Sequence, residues 1–157
     1  MGLFDKKNSS NTQNTKVKAL LAEAMPDVDF IEEAPGLWGT RNESVLVKIF
    51  VNTEDFPDMP FVNIAAVTVI GANDDIALYK HLMTERNLFF NKWEVEQSEV
   101  KGKVDIYLVA RLLLADLDAS ELGFAIASTA VIANEQDEEI VKQFGGQRCQ
   151  DYFGWEE

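Results

Sequence analysis

Residues 103–114 read Lys-Val-Asp-Ile-Tyr-Leu-Val-Ala-Arg-Leu-Leu-Leu, and their alternation decides the fold. Val104, Ile106, Leu108, Ala110, Leu112 and Leu114 fall on one side and are all apolar. Lys103, Asp105, Tyr107, Val109, Arg111 and Leu113 fall on the other and are mixed. A period of two over this length marks a strand with one face on a core. Lys101-Gly102 just before it supplies a hairpin turn. The partner strand spans Leu88–Val100, with Phe89, Asn91, Trp93 and Val95 on one side and Phe90, Lys92, Glu94 and Glu96 on the other.

Working outward, Ser44–Asn52 repeats the pattern, with Val45, Val47, Ile49 and Val51 opposed to Leu46, Lys48, Phe50 and Asn52. Phe61–Ile70 is a strand rich in Val and Ile that Gly71 closes. Residues 28–40 give a short strand, a turn at Pro35-Gly36 and a continuation. Val17, Leu20, Leu21 and Ala24 recur at helical spacing before Pro26. A second helix is capped by Asn73, carries Ile76, Tyr79, Leu82 and Met83, and ends at Asn87. The third opens on Asp118 with Glu121 in capping-box spacing, runs through Leu122, Ile126 and Ile140 to Phe144, and stops at Gly145-Gly146.

The order is therefore α-β-β-β-α-β-β-α, an α+β fold. Short connections imply an antiparallel sheet with the helices on one face. The expected organisation is a disordered polar leader at 1–15, one domain at 16–148 and an acidic aromatic tail at 149–157. Tyr152, Phe153 and Trp155 should dock that tail on the domain or on a partner.

The chain has 157 residues, 46% of them hydrophobic, so one core can bury about 70% of the unfolded surface without a staple. The net charge of -13 disfavours nucleic acid and anionic membrane and favours cationic segments. No apolar run reaches a membrane span. Met1-Gly2 starts no signal peptide, and Lys6 stands where a myristoylation signal needs Ser or Thr. A lone Cys149 excludes an internal disulfide and fits a reducing cytoplasm.

Catalytic signatures are missing from the sequence. His81 is the only histidine, lies mid-helix and is far from Cys149 in the chain. One Cys and one His make no zinc site. Glu54, Asp55 and Asp58 lack the acid spacing and central glycine of a calcium loop, and Glu135–Glu139 read as a solvated helix face. Gly145-Gly146 follows a helix instead of opening one, so it is no phosphate loop. We expect no enzyme and no cofactor or metal.

The mixed side of the sheet is the informative feature. Leu46, Phe50, Ala65, Val67, Tyr107, Val109 and Leu113 oppose the helix side, with Lys48, Lys92, Glu94, Asp105 and Arg111 among them. An apolar surface rimmed by charge suits a protein partner, unless the tail or leader covers it. Leu46, Phe50, Val67, Tyr107, Val109, Arg111 and Leu113 are the candidate protein-binding residues.

The element order, Glu85-Arg86-Asn87 before an aromatic strand and the hairpin into Val104-Asp105-Ile106-Tyr107-Leu108-Val109-Ala110 resemble a known family. So do Ala133-Asn134-Glu135-Gln136-Asp137 and the closing Phe144-Gly145-Gly146. The chain is similar, over residues 15–146, to YbjN-like proteins and the type III secretion chaperones of the CesT and YopN-chaperone kind. That family usually has Ala-Asp where this chain has Ala133-Asn134. The resemblance implies a compact sheet-and-helix fold, frequent homodimers and binding of extended or helical protein segments, hence a non-catalytic, chaperone-like or adaptor protein. The acidic surface and the mixed sheet face add that the protein or peptide segment it holds should be basic and apolar. The alternative is a small-ligand sensor, a sensory-transduction regulator with a pocket between helix and sheet.

Overall fold

The computed structural model describes residues 11–85 and 88–156. Helix α1 spans Asn11–Ala24, α2 Ile76–Thr84, α3 Ala119–Phe144 and α4 Cys149–Phe153. The strands are β1 Ile31–Ala34, β2 Leu37–Asn42, β3 Val45–Asn52, β4 Phe61–Asn73, β5 Lys92–Gln97, β6 Lys103–Leu113 and β7 Gln147–Arg148. They form one antiparallel sheet in the order β1-β2-β3-β4-β6-β5, with β7 beside β4.

The alternation read from β3 and β6 sets which side meets the helices. Val47, Ala66 and Leu108 lie in register across β3, β4 and β6, as do Ile49, Ile64 and Ala110. All are buried, and they pack with Val17 and Leu21 of α1 and with Leu122, Ile126 and Ala133 of α3. Towards the other end, Val69, Ala72, Val104 and Ile106 meet Leu78 and Leu82 of α2 and Ile140 and Phe144 of α3. Asp118 accepts a hydrogen bond from Glu121 N at 2.8 Å and opens α3. Gly145 closes it, its N–H donating to Val141 O at 2.8 Å.

Six local expectations are corrected. The helix α1 begins at Asn11, so residues 11–15 leave the expected leader; Asn14 and Val17 are both buried along it. Residues 1–10 lie outside the described residues. The segment 28–40 is a hairpin, β1 folding back on β2 with Glu32 opposite Trp38. The strand β4 passes through Gly71 to Asn73, because Gly71 takes a positive φ of 73° and donates its N–H to Asp105 Oδ1 at 2.9 Å. Asp75, not Asn73, caps α2 by accepting from Ala77 N at 2.8 Å. The helix ends at Thr84, and Arg86 and Asn87 lie outside the described residues. The strand β5 starts at Lys92, since Phe89 and Phe90 leave the sheet to pack on Phe124 of α3, with ring centroids 5.8 Å apart in each pair.

Candidate functional site: the open face of the sheet

The register assembles the non-helix side into rows. Arg41, Leu46, Val67, Tyr107 and Glu94 form one row across five strands. Lys48, Ala65, Val109 and Lys92 form the next, then Phe50, Asn63 and Arg111, then Phe61 and Leu113. All seven residues nominated from the sequence share this face. Their accessibility does not match: Val109 is fully buried, Phe50 is 5% exposed, and Val67 and Tyr107 are 7% exposed. Leu46 is half-buried, while Arg111 and Leu113 are exposed. The face is one surface, most exposed at its Leu113 end.

The C-terminal tail covers part of the middle. Cys149 is fully buried and packs with Ala65, Val67, Tyr107 and Val109, with Trp155, Leu46 and Ile70 against the same cluster. Two bulges in β4, between Val67 and Val69 and between Val69 and Ala72, let this happen. The pairing of β3 ends at Val67, and β7 takes over at Val69 and Ile70 on the vacated edge. Gly146 makes the crossing at a φ of 87°, where a Cβ would stand 2.8 Å from Ala72 N and Ile70 O. No other residue fits there without displacing β4. The expectation that the aromatic tail would dock is met by Trp155, while Tyr152 and Phe153 stay half exposed.

Polar contacts fasten the tail. The Arg41 guanidinium lies 4.2 Å from the centre of the Trp155 ring, a cation–π contact. Gln150 N donates to Ser44 O at 2.9 Å. Arg148 binds Asp151 through two nitrogens, at 2.8 and 3.1 Å, and Glu138 at 3.1 Å. Ser44 N donates to Asn134 Oδ1 at 3.1 Å, which fixes the orientation of that amide. The Ser44 hydroxyl then has two acceptors, Asn134 Oδ1 at 2.7 Å and Asp137 Oδ2, but one hydrogen. A protonated Asp137 satisfies both contacts, donating to Ser44 Oγ while Ser44 donates to Asn134. Burial raises the Asp137 carboxyl above its ordinary value, with the Ser44 contact and Arg148 acting against it.

The charges on the face are cross-linked. Lys48 pairs with Glu33, and Glu94 meets Lys92 and Arg111 at 2.8 Å each. Burial works to raise the Glu94 carboxyl, but Arg111 and Lys92 hold it below the carboxylate norm. Burial, then Asp105 and Glu96, pushes the Tyr107 phenol up. The Cys149 thiol is pushed up to about 11 by burial, which suppresses the nucleophilic thiolate. His81 packs on the Phe144 ring at 5.4 Å between centroids, on the helix side of the sheet. Among the described residues, no three His, Cys, Asp or Glu side chains gather as metal ligands.

Two depressions bring apolar side chains of this face to solvent. A groove of about 660 Å³ lies between the tail and the β5–β6 hairpin, lined by Leu46, Val67, Val100, Tyr107, Tyr152 and Phe153 among others. A pocket of about 290 Å³ lies at the other end, formed by Phe56, Met59, Phe61, Arg111, Leu112 and Leu113. Sequence reasoning missed Phe56 and Met59, which stand in a loop without periodicity. Two large apolar side chains, each just before a loop proline, were the available signal.

A single antiparallel sheet, sealed by helices on one side and partly covered by a short tail on the other, defines a binding scaffold. The chain belongs to TY-Chap1, the family described as T3SS (YopN, CesT) and YbjN peptide-binding chaperone 1, whose model matches residues 12–152. The resemblance read from the sequence is thereby established. Among solved structures, the fold is similar to a chain of the ExsC–ExsE complex at 21% identity, covering 81% of this chain and 95% of that one, with a TM-score of 0.53. No curated protein matches the sequence. No helix among the described residues is long and apolar enough to cross a membrane.

Proposed function

We propose that this protein holds a segment of another protein against the open face of its sheet, without chemistry, as a chaperone-like or adaptor component of the cytoplasm. Membership in a peptide-binding chaperone family favours a polypeptide over a small-ligand sensor. The observation that carries the reading is the asymmetry of the sheet: helices seal one face, while a groove of mixed lining beside the docked tail and an apolar pocket at the Leu113 end lie on the other. A client would bury apolar side chains there, and its lysines or arginines would be favoured by the net charge of -13. Leu46, Arg111 and Leu113 are the nominated residues a client can reach directly. Val67, Tyr107 and Val109 would take part from beneath the tail.

A homodimer is part of the proposal. The exposed rings of Phe89, Phe90 and Phe124 form an aromatic patch on the helix side, away from the client face. Such a patch suits an isologous contact. Light scattering should give a dimer mass that Phe124→Ser reduces to the monomer; a wild-type monomer at micromolar concentration contradicts this part.

The experiment on the central reading is capture of clients from the host, followed by calorimetric titration of peptides tiled across them. One segment should bind saturably and remain chemically unchanged. Binding of no peptide, with saturable binding of a small metabolite, would replace this reading by the sensor.

A further inference from the structure

We propose that the pocket of Phe56, Met59, Phe61 and Leu113 receives an apolar side chain of a partner segment that carries Lys or Arg beside it. This inference rests on the peptide-binding reading above and names the chemistry that the exposed end of the open face selects. The acidic loop 53–60, which the sequence presents as a solvated surface, becomes the selecting element.

The loop is built and not frayed. Asn52 is 5% exposed, and its Oδ1 accepts from Glu54 N at 3.1 Å and Asp55 N at 3.2 Å. Its Nδ2 donates to Asp55 Oδ2 at 2.9 Å. Met59 N donates to Phe56 O at 2.9 Å, closing a turn around Pro57, and Leu114 N donates to Pro60 O at 2.9 Å, tying the loop to the end of β6. Phe56 and Met59 are therefore held outward, each 57% exposed, beside Leu113 at 63%. Contiguous apolar exposure in an ordered segment marks an interaction site better than scattered exposure does. Side chains already fixed lose little entropy when a partner arrives.

Charge decides the occupant. Glu54, Asp55 and Asp58 stand on the loop and are exposed. Two cations stand near, Arg111 in the pocket lining and Lys16 at the end of β6, and both are engaged. Arg111 pairs with Glu94 at 2.8 Å and donates to Asn63 Oδ1 at 2.8 Å. Lys16 donates to the carbonyls of Leu114 and Ala115, at 2.7 and 3.2 Å. Three exposed carboxylates thus share the loop that supplies Phe56 and Met59, against one cation, Arg111, in the pocket lining. A second copy, itself at -13, is a poor match, while an apolar anchor flanked by Lys or Arg fits both parts.

The test is fluorescence anisotropy of the full chain with three labelled synthetic peptides. One carries Leu-Phe followed by two lysines, one has the lysines replaced by glutamates, and one has Leu-Phe replaced by serines. The basic anchored peptide should bind about tenfold or more tightly than either control, and salt should weaken it. Leu113→Ser should weaken it about tenfold with an unchanged thermal melt. Glu54→Lys with Asp58→Lys should reverse the preference towards the glutamate peptide. Equal binding of the three peptides, or no binding, overturns the inference. Binding unaffected by these variants but lost in Val100→Ser with Tyr152→Ser moves the client to the other groove, sinking the pocket while the open-face reading stands. A dimer that Leu113→Ser dissociates would make a second copy the occupant and overturn it. So would tighter peptide binding by Lys6→Glu with Lys7→Glu, because residues 3–7 of this chain, Leu-Phe-Asp-Lys-Lys, would then be the occupant.

Discussion

Leu108 and Tyr107 are neighbours on one strand and live on opposite sides of the same sheet. Leu108 faces a layer of helices, in which α3 alone runs for 26 residues. Tyr107 faces a cover of a few residues, fastened by two bridged pairs of β7, a cation–π contact and the Ser44 polar cluster. Both side chains are buried, Leu108 wholly and Tyr107 to within 7%. Burial alone therefore does not distinguish a permanent core from a removable one. What distinguishes them is how much structure must be released to expose the residue.

Substitutions turn that contrast into numbers. Leu108→Ala should cost about 2–5 kcal/mol in chemical denaturation, as large-to-small changes in a sealed core do. A loss within error would mean that the helix layer collapses onto the gap and is less rigid than described. Trp155→Ala should cost less, about 1–2 kcal/mol, since it removes one cation–π contact and part of a thin cover. Its sharper readout is Cys149, which should react with a thiol reagent faster than in the wild type while the denaturant slope stays unchanged. If Trp155→Ala leaves Cys149 as inert as before, the tail is as permanent as the helices.

The smallest effect belongs to the polar cluster under the tail. The folded-state value of Asp137 is raised above its ordinary 3.8, so the contribution of the protonated carboxyl is complete below that value. It is lost as pH rises through the raised one. Asp137→Asn keeps a donor towards Ser44 Oγ at every pH. The variant should gain on the wild type by roughly 1 kcal/mol between acid and neutral pH, read as a widening difference in melting temperature. A difference that narrows as pH rises would mean that the ionised carboxylate is the stabilising form, held by Arg148.

The sheet was legible because alternation in β3 and β6 is long enough to fix a face. The same rule failed where aromatic residues had a better option: Phe89 and Phe90 fit the alternation of β5, yet their rings pack on Phe124. Gly71 looked like a stop, but a positive φ there lets β4 bulge and continue. The shared face of the seven nominated residues follows from the two-residue period alone. Their unequal exposure does not, because it depends on where a tail more than thirty positions away in sequence comes to rest. The pocket residues Phe56 and Met59 were invisible for another reason, since a loop has no period to read. Phe50 and Tyr107 offer contact area but are buried, so replacing them tests stability together with binding. Leu113 is the cleaner probe.

Hydrogen exchange with and without a bound client peptide compares the two faces in one experiment. New protection should appear in β3, β4 and β6 along the open face and in the loop 53–60, with α1 and α3 unchanged. Protection confined to α3 and the Phe89–Phe90 segment, with the open face and its loop untouched, would contradict the open-face reading.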